Sequence, residues 1–178
     1  MAPTSILAGL IVSFVSSSLS HFLPKPGPTE TNDSKVSIAL IFFGIGNIVG
    51  GYLSGWLCDK ILIKKAGYFG HFLVVIGSII EAISLFTTKA FWKSCLIGFM
   101  SGLSYSYLFS YVAIVCTIYY KGNSFSFSTN KQITSFSYIG YQWLVAFLNN
   151  RCNMKLNMTY QGLALIPIAF FASYCLYI

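Results

Sequence analysis

Charge is what this chain has least of. Only 8% of its 178 residues are Asp, Glu, Lys or Arg, where a soluble domain carries roughly 25%. With 56% hydrophobic residues, too few polar side chains exist to coat a water-facing surface. That excludes an ordinary soluble domain. A bilayer removes the difficulty, because lipid tails solvate Leu, Ile and Phe while helices satisfy their own backbone groups. Acid is scarcer than base: four Asp and Glu against eleven Lys and Arg, for a net charge of +7. The bases stand in ones and twos between long apolar runs and form no basic face, so nucleic acid is not expected as a partner. Bases in short loops beside apolar segments match attraction to anionic lipid headgroups instead.

Metal and catalytic chemistry lack their raw material too. Cys58, Cys95, Cys116, Cys152 and Cys175 show no CxxC spacing and no neighbouring His cluster. They read as small apolar thiols, so neither a metal site nor a disulfide framework is expected. The two histidines are His21 and His71. No Ser-His-Asp grouping, no GxxxxGK[ST] phosphate loop and no paired carboxylates within an apolar run occur, so neither enzyme activity nor a cofactor is expected.

What is present is a series of long apolar runs. A helix needs about 20 residues to cross a bilayer. Six runs approach that length, at residues 6–23, 36–57, 68–86, 94–119, 133–148 and 160–178. The predicted fold is all-α integral membrane, a single six-helix transmembrane bundle over residues 1–178. The first run ends in "SSSLS", as a signal peptide would, but "MAPTS" carries no base, so it reads as a retained helix. An even number of passes puts both termini on one side, with the turns at 58–67 and 120–131. Lys60, Lys64, Lys65, Lys121 and Lys131 on that side face Lys25, Lys35, Lys89, Lys93, Arg151 and Lys155 on the other. So even a balance of bases does not orient the chain by the positive-inside rule. Two glycosylation-type triplets, Asn32-Asp33-Ser34 and Asn157-Met158-Thr159, fall on the opposite side, so the termini are expected in the cytoplasm.

The densest cluster of glycine is "GIGNIVGGYLSGWLCDKI", residues 44–61. In water each interior glycine costs a helix roughly 1 kcal/mol relative to Ala. In lipid the same residues let two backbones approach. Gly46 and Gly50 are four apart, as are Gly51 and Gly55, and the fourth run repeats the spacing with Gly98, Gly102, Ser106 and Ser110, the pattern of tight helix packing. The stretch ends in Asp59-Lys60, followed by Lys64-Lys65. A carboxylate near helix termini can accept hydrogen bonds from free N–H groups, so the turn reads either as a latch between helix ends or as a solvated turn. Glu81 is the single acid well inside an apolar run, a functional candidate by default. His71, Ser78 and Glu81 fall near one helical face. A proton-coupled carboxylate and a packing role are both open.

Gly55-xxx-Asp59-Lys60 with Lys64-Lys65, between the second and third of six helices, resembles the loop signature of the major facilitator superfamily. Together with "IGFMSGLSYSYLFSYVAIVCTIYYKG" and "NKQITSFSYIGYQW", it is similar to the uncoordinated-ninety-three-like branch. Lys60 stands where the signature usually has Arg, and Ile61 to Ile63 replace its second glycine. The resemblance implies two six-helix bundles around a central cavity, one rocking against the other around a midplane site. This chain carries one bundle, and its long loop after the first helix looks more like a C-terminal half. A second half, a homodimer or a longer chain is therefore implied, moving a small solute. The resemblance makes the first and fourth helices cavity-lining, which singles out Ser13, Ser16, Ser17 and Ser20, then Ser101, Tyr105, Ser106, Ser110 and Tyr111. The fifth adds Ser135, Tyr138, Tyr141 and Gln142. Such uncharged donors would suit a neutral or amphipathic solute, or else bind one helix to another. The branch also includes non-transporting subunits that bind another membrane protein, such as a channel or receptor, and this is the alternative expectation.

Overall fold

The computed structural model describes residues 1–18, 33–86, 90–121, 124–151 and 163–177. Six helices lie within them: α1 (Ala2–Ser18), α2 (Asp33–Lys60), α3 (Ile63–Phe86), α4 (Phe91–Tyr119), α5 (Ser124–Arg151) and α6 (Leu165–Tyr177). Pro3 and Pro167 both sit in the first turn of a helix, where the missing N–H has no intrahelical acceptor to lose. Cys58, Cys95, Cys116 and Cys175 are free thiols, and Cys152 lies outside the described residues.

Among the described residues, three helices are long and apolar enough to cross a membrane: Ser34–Lys60, Ile63–Ser84 and Phe91–Tyr119. The expected six are not all of that kind. As described, α1 and α6 have 17 and 13 residues, short of the roughly 20 a span needs. α5 has 28 residues, but Ser, Thr, Asn and Gln recur along it. α2 carries the membrane reading furthest. It is apolar around its whole circumference, yet only 17% of its span is buried. Ile48 is 75% exposed. A helix apolar on every side belongs in a core or in lipid, and here the core is ruled out by exposure.

Two boundaries differ from the sequence expectation. The turn expected over 58–67 shrinks to Ile61 and Leu62, with Asp59 and Lys60 still in the last turn of α2 and Lys64 and Lys65 in the first turn of α3. The polar stretch expected as a turn to Lys131 is helical from Ser124. Thr129, Thr134, Ser135 and Ser137 each donate to the backbone carbonyl four residues earlier, at 2.8–3.1 Å. These hydroxyls are satisfied within their own helix and do not form caps or turns there.

Contacts fix how the helices run. Gly98 of α4 meets Ala39 of α2, and Gly50 further along α2 meets Leu103 further along α4, so these two are parallel. α1 and α5 are parallel too, since Ser5 pairs with Asn130 and Ser13 with Tyr138. α3 opposes α4, with Ala66 bonded to Tyr107 and Glu81 to Ser101. It also opposes α6, with Gly67 against Leu176 and His71 against Ser173. The directions alternate along the chain. One open pocket of about 450 Å³ is lined by Met1, Ile63, Lys64, Tyr119 and Leu176 among others. The starts of α1 and α3 and the ends of α4 and α6 therefore share one end of the bundle.

Candidate functional site

Gly46, Gly50, Gly98 and Gly102 lie along one seam between α2 and α4. A Cβ on Gly46 would strike the Phe99 carbonyl, one on Gly50 the Leu103 carbonyl, and one on Gly102 the Phe43 carbonyl. On Gly98 it would come to 2.6 Å from the Ala39 carbonyl oxygen. The two helices thus interlock from both sides, glycine against backbone, as close approach in lipid requires. Gly51 is looser: its nearest neighbours would be the Ser106 and Ser110 hydroxyls at 3.2 and 3.5 Å. Gly55 has none of the described residues within 4 Å. It shares the spacing of the others but not their role within this chain.

The loop signature lies apart from that seam. Asp59, Lys60, Lys64 and Lys65 are all exposed around the two-residue turn. Within the chain this is a solvated corner.

Some of the polar side chains expected to face a cavity tie helices together. Gln142 donates from Nε2 to the Ser13 carbonyl at 3.0 Å. Ser13 Oγ in turn donates to the Tyr138 carbonyl at 3.4 Å. Tyr105 lies between Phe43 and Phe109, stacked with centroids 6.4 and 6.0 Å away. Tyr111 is 1% exposed and abuts Gly67. Ser135 is exposed and bonded within its own helix. Tyr138 is 36% exposed, facing outward. Ser17 lies in the last turn of α1, outside the described side chains, and Ser20 lies outside the described residues.

His71 and Glu81 share a helix face but not a site. Ten residues separate them, about 15 Å along the axis. His71 is 1% exposed and joins three helices. Its Nε2 lies 3.3 Å from Thr4 Oγ1, and its Nδ1 lies 2.9 Å from Ser173 Oγ. In a neutral ring one nitrogen donates and the other accepts, so either tautomer can hold both hydroxyls. Glu81 instead accepts at Oε1 from Ser101 Oγ, at 2.8 Å.

Three polar ties had no signal in spacing. Ser5 donates to Asn130 Oδ1 at 3.0 Å, and Asn130 Nδ2 reaches Cys116 Sγ at 3.3 Å, joining α1, α5 and α4. Tyr107, fully buried, donates to the Ala66 carbonyl at 2.8 Å. Gly9 packs α1 against Thr134 and Ser137 of α5; Ser5 and Ser13, four residues to either side, were the small-residue spacing that could have marked it.

One stretch of the chain is similar to a transporter. Over 76 residues it is 28% identical to facilitated glucose transporter protein 1 of Caenorhabditis elegans, a match covering 43% of this chain and 15% of that protein. The chain thus spans a small part of that relative's length. No protein-family model matches the chain, and no solved structure matches it. The apolar helices and the membrane-transporter relative agree on a membrane protein.

The Tyr107 tie makes a modest prediction. Tyr107→Phe keeps the ring and removes one buried hydrogen bond, so thermal melting in detergent should show a loss of about 1 kcal/mol. A melting point unchanged from the parent would mean the Ala66 carbonyl finds another donor.

Proposed function

We propose that this chain is one six-helix half of a transporter of the major facilitator type, moving a small solute as part of a two-half assembly. The observation that carries this is the alternation of helix direction, with glycine-interlocked α2 and α4 running parallel. A compact bundle of that kind is a body that can rock as a unit around a midplane site. The resemblance at Gly55, Asp59 and Lys60 supports it, as does the stretch similar to a facilitated glucose transporter. A hexose is accordingly the first solute to try. In this reading all six helices cross the bilayer, the termini are cytoplasmic, and the second half is another bundle or a second copy. It needs no cofactor, no catalysis and no nucleic acid.

The test is uptake by vesicles reconstituted with the purified chain. Counterflow of labelled hexose, and of a panel of other neutral solutes, is the expected result, with a dimer or larger particle in detergent. A monomer that moves nothing in the panel ends the transport reading. Glu81→Gln is then informative about coupling: any dependence of flux on pH should vanish. A pH profile identical to the parent's would remove Glu81 from that role.

One observation favours the alternative. Ser13 and Gln142 are engaged in ties between α1 and α5, which leaves fewer donors for a solute. A non-transporting subunit of the uncoordinated-ninety-three-like kind, binding a channel or receptor, needs only a rigid bundle with an open face. Stable co-purification with another membrane protein, without uptake, would favour it.

A further inference from the structure

The end of the bundle where α3 begins and α4 and α6 finish holds an open cavity of about 450 Å³. α3 and α4 are both long and apolar enough to cross a bilayer, so a cavity beside their ends lies at headgroup depth. Ile63, Val115 and Leu176 give it an apolar lining. Lys64, Tyr119 and Tyr120 line it too and are exposed. Among the described residues no carboxylate lines the cavity, and none pairs with Lys64. Tyr111 is also part of the lining, although it is 1% exposed. Its hydroxyl lies against Gly67, where Leu176 of the same lining packs as well. No hydrogen bond engages that hydroxyl among the described residues. Buried hydroxyls are nearly always partnered, so an orphan beside an open cavity points to an occupant that carries an acceptor.

We infer that this cavity seats the headgroup of an acidic phospholipid, its phosphate held by Lys64 Nζ and the Tyr111 hydroxyl. Charge decides the class. An ammonium and phenol hydroxyls are donors suited to phosphate oxygens. Among the described residues the same end of the bundle carries Lys60, Lys65, Lys121 and Lys131 besides Lys64, against the single acid Asp59. A choline headgroup would bring a further ammonium into that field, whereas a lipid of net negative charge is drawn to it. The apolar lining decides between a lipid and a soluble anion. A free phosphate would leave Ile63, Val115 and Leu176 against water, while the glycerol and first methylenes of a lipid would cover them. Tyr119 and Tyr120 fit the same depth, since tyrosine rings gather at the membrane interface. The lipid would tie α3 to α4 through side chains that no direct bond connects. Nothing in this depends on whether the chain transports.

The test is the maleimide-labelling rate of Cys175, a free, half-buried thiol in the cavity lining. It is read by mass spectrometry on the purified full chain in detergent micelles. The micelles receive phosphatidylserine or phosphatidylcholine, or the buffer receives inorganic phosphate. Phosphatidylserine alone should slow the labelling, saturably. Lys64→Gln should raise the half-saturating phosphatidylserine about tenfold and Tyr111→Phe about fivefold, the sizes of a charged and a neutral hydrogen bond. Lys93→Gln, at the opposite end of α4, should leave the titration unchanged. No protection by phosphatidylserine, or equal protection by phosphatidylcholine, would overturn the proposal. Equal protection by inorganic phosphate would assign the cavity to a soluble anion and overturn it too. So would a phosphatidylserine response untouched in both cavity variants. Lys64 is exposed, so Lys64→Gln should fold; if Tyr111→Phe does not, Lys64→Gln decides alone. Because no flux is measured, a failure here is separate from a failure of the transport reading.

Discussion

Gly102→Ala is expected to destabilise the bundle by about 1–3 kcal/mol, the range for overpacking a tight contact. The new methyl would strike the Phe43 carbonyl, with Asn47 N at 3.2 Å, and these are backbone atoms that cannot rotate away. α2 and α4 would have to separate. In a solvent-exposed helix the same change would gain up to roughly 1 kcal/mol from propensity, so its sign reports the seam. Gly55→Ala is the control. With nothing described within 4 Å, it should leave melting unchanged or raise it slightly. Gly46 faces the same seam, and its Cβ would meet Leu103 N at 2.9 Å. Once the helices have parted for Gly102→Ala, adding Gly46→Ala should cost less than it does alone, a non-additivity expected of residues sharing one contact. Melting of the three variants in detergent checks this. A Gly102→Ala protein as stable as its parent would show that the seam is not close-packed.

His71→Leu is expected to be the second damaging change, at about 2 kcal/mol. It removes one residue that serves two hydroxyls on two other helices, Thr4 on α1 and Ser173 on α6. Thr4 would be left buried without its partner, at about 1–3 kcal/mol if nothing relaxes, and half-buried Ser173 would lose less. Relaxation will reduce this, since interhelical bonds in membranes average only about 0.6 kcal/mol. A double-mutant cycle separates the contributions. Thr4→Val should cost less in the His71→Leu background than in the parent, because its partner is already gone. His71→Gln, which retains donor and acceptor, should recover part of the loss. If His71→Leu melts with the parent, the histidine is a spacer and the three helices are held by apolar packing alone.

These two changes differ in how far a reader of the sequence could have foreseen them. The seam residues Gly46, Gly50, Gly98 and Gly102 were legible because small residues four apart must share a helix face. Yet Gly51 and Gly55 carry the same spacing, and Gly55 meets nothing among the described residues. Spacing specifies a face; only the register of α4 against α2 selects which half of that face is covered. The α5 boundary was obscured for a local reason. Serine and threonine normally mark turns, and here they bond back to their own helix, which the residue types alone do not disclose.

The polar sites follow the same division. That Glu81 and His71 are special was readable from the cost of placing such groups in an apolar run. That they act separately was not, because their partners are distant in sequence: Thr4 lies 67 positions from His71, and Ser173 lies 102. Composition alone determined that this protein belongs in lipid, since 8% charge cannot coat a surface in water, and the long apolar runs pointed to helices. Only the tertiary structure decided that Gln142 serves Ser13 rather than a cavity. It likewise brought Ser78, Glu81 and Ser104 around one small void. A side chain's type sets what it must bond to, while the register of packed helices sets what is within reach.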